Sequence, residues 1–146
     1  MVSKGRFTSA PIPLKLGPKG LNFERGDILI HGVDQSGGSF EGRVFLNNPN
    51  ATIDTPTTPE NGYAGSFYVY GYGLWPDDIG ADRKPAEPDT IRAPIQKDVI
   101  ATDALRHAAE RGSDVTVTVV PVSGNPPRDA GDAMKLQGVS IEIHPT

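Results

Sequence analysis

Fourteen prolines spread from Pro11 to Pro145, together with seventeen glycines, break this chain of 146 residues into short elements. Proline removes a backbone donor and its ring clashes with the preceding helical turn, so long helices have little room. The segments between the breakers are β-branched or aromatic. Strands are expected at 12–16, 27–33, 39–47, 65–72, 96–102, 114–122 and 135–143, each bounded by Gly, Pro, Asn or Asp. Over 114–120 the alternation is clear: Val115, Val117 and Val119 share one face, Thr116 and Thr118 the other. That pattern predicts a sheet with one buried side.

One segment competes with this reading. "TDALRHAAERG" offers Thr102 as N-cap, Asp103 in the first turn, Leu105, Ala108 and Ala109 on one face, and Arg111 with Gly112 as a stop. At about ten residues such a helix is marginal alone and must dock on the sheet. Two long polar connections remain, 47–62 and 74–94, beyond the usual linker length. The expectation is a mainly β chain: a two-layer antiparallel β-sandwich, jelly-roll-like, of seven or eight strands with one short helix. It reads as a single domain over 1–146 with residues 1–10 as a flexible arm, and without internal repeats.

Charge excludes some functions. Charged residues are 22% of the chain, the net charge is −4 and no block of like charge occurs, which argues against nucleic-acid and anionic-membrane surfaces. No apolar run approaches the ~20 residues that span a bilayer. The start, "MVSKGRFTSAPIPLKLG", has basic residues but no apolar core of a signal peptide. A cytoplasmic location, or export together with a partner, is the expectation. The absence of cysteine excludes disulfides and thiolate chemistry.

Catalytic signals are weak. His31, His107 and His144 fall on a strand, a helix and the C-terminal tail, with no metal-ligand spacing between them. Asp77, Asp78 and Asp82 around Gly80, and Asp129 with Asp132, loosely follow oxygen-rich calcium loops but lack their twelve-residue ligand order. "NAT" at 50–52 fits an N-glycosylation sequon. There is no GxSxG elbow, and the GxG at 71–73 has no helix after it to receive phosphate. No catalytic residue, metal ligand or cofactor is expected.

The aromatic residues are the strongest local signal. In "GSFYVYGYGLW", Phe67 and Val69 lie on one face of a strand, and Tyr68, Tyr70 and Tyr72 lie on the other, with Trp75 just beyond. Phe67 and Val69 can fill a core without phenolic hydroxyls to satisfy. Tyrosines either cover a neighbouring loop with their hydroxyls at the wet edge, or form a contact surface of the kind enriched at interfaces. Tyr68, Tyr70, Tyr72 and Trp75 are therefore the candidate partner interface, with the 47–62 and 74–94 loops as its rim.

Beyond these local signals, "SFEGRVFLNNPNATIDTPTTPENGYAGSFYVYGYG" resembles the β-sandwich that follows the copper domain in bacterial tyrosinases and related type-3 copper proteins, where a "VFLN-P" strand, a "TP" loop and "YAGSF-V-FGHG" recur in that order. "PIQKDVIATDALRHAAERGSDVTVTVVPV" is similar to the same domain's closing strand, helix and strand. The likeness covers most of residues 39–122, with 135–143 as a last strand. It implies the fold more strongly than the activity. The family's oxidase chemistry uses two coppers held by six histidines on a helical bundle, and this chain has three histidines. Where relatives show "GHG" and a cysteine-containing loop, it reads Gly71-Tyr72-Gly73, and a phenol is a poor copper ligand unless its pKa is strongly lowered.

The resemblance implies a non-catalytic binding or assembly module, paired with a copy of itself or with a separate copper-domain subunit. An enzyme or metal-binding protein of unrecognised type, and a carbohydrate-binding module using the aromatic face, are the alternatives.

Overall fold

The computed structural model describes residues 6–17, 20–34, 38–70, 94–124, 126, 128–130 and 134–145. They form ten strands and one helix: β1 (Phe7–Thr8), β2 (Ile12–Pro13), β3 (Phe23–Val33), β4 (Phe40–Leu46), β5 (Tyr63–Val69), β6 (Ile95–Ile100), α1 (Thr102–Arg111), β7 (Asp114–Val115), β8 (Val117–Ser123), β9 (Arg128–Asp129) and β10 (Gly138–Pro145). The expected class is the observed one. β1, β8, β4 and β5 run side by side, with β9 added to β8, and β10, β3 and β6 make a three-stranded sheet. A small ribbon joins β2 and β7, and every pairing is antiparallel.

The larger sheets face each other across one apolar core. β3 and β6 contribute Ile28, Ile30, Val33 and Val99, and β4, β5 and β8 contribute Phe40, Val44, Phe67, Val69, Val117 and Val119. These positions alternate along each strand up to an irregularity between Ile30 and Val33, which is why the sequence pattern found them.

Three expectations need correction. Thr118 does not face water: it is fully buried, its hydroxyl 3.1 Å from that of Thr8. β8 is an inner strand, and its outer face is covered too. Phe45, Val120 and Val122 pack there with Ala51 and Ile53 from the 47–62 loop, and with Tyr63. Secondly, the expected N-terminal arm enters the sheet at residues 7 and 8. Phe7 pairs with Val119 and packs on the core, and the Ser9 amide donates to the Val117 carbonyl at 2.9 Å. Thirdly, the N-cap is Ala101, which makes no side-chain cap. The Thr102 hydroxyl accepts instead from the Gly26 amide at 3.2 Å, tying the helix start to β3.

Arg106 ties down the other flank of α1. Its Nε and Nη2 donate to the carbonyls of Leu21 and Phe23 at 3.0 and 2.9 Å, and the guanidinium lies 5.0 Å from the Phe23 ring centroid. Charge-assisted bonds of this sort are worth more than neutral ones. Arg106→Ala should therefore cost roughly 1–3 kcal/mol in urea unfolding, and Arg106→Lys should recover little, because an ammonium cannot span both carbonyls and the ring.

Candidate interaction surface

β5 is placed by its pairing with β4, in which Phe40 lies opposite Val69, Glu41 opposite Tyr68, Gly42 opposite Phe67 and Arg43 opposite Ser66. Two faces follow. Inward, Phe67 and Val69 are 4% and 2% exposed, and Phe67 meets Phe40 edge to face at 6.2 Å. Outward, Tyr68 is 55% exposed, and Tyr70, just past the strand, is 78% exposed. Tyr72 and Trp75, the other two candidates, lie outside the described residues.

Glu41 and Arg43 stand on the same outer face as Tyr68. Arg43 Nε lies 3.4 Å from Glu41 Oε1, and its Nη1 donates to the Ile53 carbonyl at 3.3 Å. The tyrosines thus have two opposite charges beside them. Around them runs a shallow groove of about 250 Å³ whose lining includes Ser39, Glu41, Arg43, Tyr68, Tyr70 and Ser123. Below Arg43 the face is closed by Ala51 and Ile53. The bare part of this sheet is its upper corner, where the loop does not reach.

Sequence reasoning found the tyrosines and missed the charge pair, because the residues beside Tyr68 come from another strand. The available signal was the alternation Glu41–Arg43 within "SFEGRVF". A larger cleft of about 1000 Å³ also went unseen. It lies between α1 and the 3-10 turn Pro59–Asn61, with Leu46 and Ala108 in its lining, and Ile100, 62% exposed, at its edge.

The histidines are not brought together. His31 Nε2 is 2.6 Å from the Ser140 hydroxyl, His107 Nδ1 is 3.8 Å from Glu110 on its own helix, and His144 Nε2 is 3.1 Å from Glu142 and 3.9 Å from Asp27. His144 pairs in register with Arg25, six residues along β3 from His31, or ~20 Å of strand. Asp27 itself is buried and gripped by Arg25 through Nε and Nη2 at 2.7 and 2.9 Å. The hydrogen bond to Asp27, then its charge, pushes the Arg25 pKa further up. Among the described residues, no group of three or more His, Cys, Asp or Glu side chains is placed to hold a metal ion. Of the loop aspartates only Asp129 is described, exposed on β9, and Asn50 is exposed in the turn closed by the Ala51 amide and the Asn48 carbonyl. No helix among the described residues is long and apolar enough to cross a membrane.

The fold defines a two-layer β-sandwich module with one docked helix and an aromatic outer corner. No protein-family model matches the sequence, and no curated protein matches it either. Solved structures do. A recombinant latent aurone synthase (polyphenol oxidase) matches with a TM-score of 0.59 at 17% identity, over 97% of this chain and 25% of that one. Latent apple tyrosinase matches with a TM-score of 0.55 at 19% identity, over 96% of this chain and 26% of that one. The chain has the fold of one piece of these proteins and spans about a quarter of their length.

Proposed function

We propose that this chain is a non-catalytic accessory module that works by docking on another protein chain through the corner of Tyr68 and Tyr70. The observation behind this reading is the mismatch of coverage: nearly all of this chain superimposes on only a quarter of each polyphenol oxidase. The oxidase chemistry implied by the resemblance needs six histidines, and the three present here stand on separate partners. What remains is a rigid sandwich with an exposed aromatic surface, and tyrosine supplies large contact area with few rotors to freeze.

Two measurements test this. Purified chain supplied with copper should oxidise catechol no faster than free copper does; o-quinone formation above that background would make the chain an enzyme and end the proposal. Titration into a polyphenol oxidase lacking the corresponding quarter should show binding that Tyr68→Ser/Tyr70→Ser removes while circular dichroism stays unchanged. Undiminished binding by that double variant would move the contact elsewhere.

A further inference from the structure

We propose that the partner met by the Tyr68/Tyr70 corner is a second copy of this chain, held across a twofold axis that passes near Gly42. The inference rests on the docking reading above and names its occupant from charge.

A twofold interface must complement itself, because the same patch serves both sides. On β4, Glu41 and Arg43 are opposite in sign and two residues apart on one face, flanking Gly42, and Tyr68 lies opposite Glu41. Two residues along a strand is roughly 7 Å. Laying two such strands antiparallel, outer face on outer face, brings Glu41 of each copy to Arg43 of the other. The tyrosines then pack across the seam, closing both shallow grooves at once. Arg43 is already steadied by the Ile53 carbonyl, so little freedom is lost when its carboxylate partner is exchanged.

The opposite face of the sandwich cannot do this. Across β10, β3 and β6 it presents the exposed carboxylates Asp98 and Glu142, both of which act on Arg25, while Asp27 is buried beneath that guanidinium. Of the basic groups there, Arg25 is committed to Asp27, His144 sits against Glu142, and His31 is taken up by the Ser140 hydroxyl. Two copies brought together on that side would set like charges against each other, which opposes association. At the tyrosine corner the charges beside Tyr68 are of opposite sign, Glu41 and Arg43, and Asp129 lies two strands further along the row from Glu41.

Charge exchange tests the geometry. The native chain should sediment at twice its 15.5 kDa mass. Glu41→Arg and Arg43→Glu, each alone, put like charges across the axis and should weaken self-association at least about tenfold. Mixed in equal amounts, the two variants should recover pairing, and native mass spectrometry should find the mixed dimer in preference to either homodimer. A native chain that is monomeric at high concentration, single variants that dimerise as well as the native chain, or folded variants that fail to pair when mixed each overturn the proposal. If a charge variant fails to fold, Tyr70→Ser decides, since the site is already exposed: unchanged dimerisation rules this interface out. Loss of the dimer here with retained tyrosine-dependent binding to the truncated oxidase sinks self-pairing alone; loss of both sinks the docking reading too.

Discussion

Phe67→Ala should lower folding stability by about 3–5 kcal/mol, the range for deleting a buried aromatic side chain. The ring lies over the backbone of Gly42, where an added Cβ would collide with it, and its edge meets Phe40. An aromatic ring laid over a cross-strand glycine covers backbone that would otherwise be left bare in the core. Its removal opens a cavity lined by that glycine and by Phe40, and neither can move in without bending β4. In urea the midpoint should fall with little change of slope, as expected for lost stability without altered compactness. The neighbouring position gives the control. Tyr68→Ser changes a side chain on the solvent side and should alter stability by no more than about 0.5 kcal/mol. Similar costs at both positions would mean that Tyr68 is covered in the isolated chain.

That contrast of Phe67 with Tyr68 was legible in the sequence, since alternation fixes which residues share a face once a strand is granted. The six longer strands, β3, β4, β5, β6, β8 and β10, and the helix could be read for the same reason: each carries its own period. What could not be read was set between elements. Thr118 looks like a solvent-facing residue in "DVTVTVV", and its burial depends on Thr8, 110 residues away, and on a polar-looking loop. Ala51 and Ile53 were the signal for that loop's role, two apolar residues spaced to touch one surface inside "NPNATIDTP". The strands β1 and β9, two residues each, are too short to show any period. Glu41 and Arg43 joined the candidate surface only when the register of β4 on β5 was known. The aromatic corner was therefore half legible: its tyrosines by local pattern, its charges only by pairing.

Leu105→Ala should cost about 2–5 kcal/mol, by loss of transfer energy and by the cavity left behind. α1 has no side-chain N-cap, and Gly112 after it is extended rather than left-handed, so neither end holds the helix through capping. Docking does. Leu105 and Ala108 are its buried residues, and Leu105 Cδ1 would lie 2.7 Å from a Cβ built on Gly26. The leucine fills the space that glycine leaves on β3, beside Phe23 and Ile143. With Ala at 105 that space empties, and the helix is left to the smaller Ala104 and Ala108, to Arg106, and to the Ala101 amide and Thr102 hydroxyl bonded to Gly26 as ties to the sandwich. A ten-residue helix in water is unstable by itself, so the loss should be felt in the helical circular dichroism as well as in global stability. The reverse change gives the second arm: Gly26→Ala should destabilise the native chain by crowding Leu105, and should be less harmful in the Leu105→Ala background, where the methyl has room. Additive costs for the two substitutions would mean that Gly26 and Leu105 do not meet, and would detach the helix from the place given to it here.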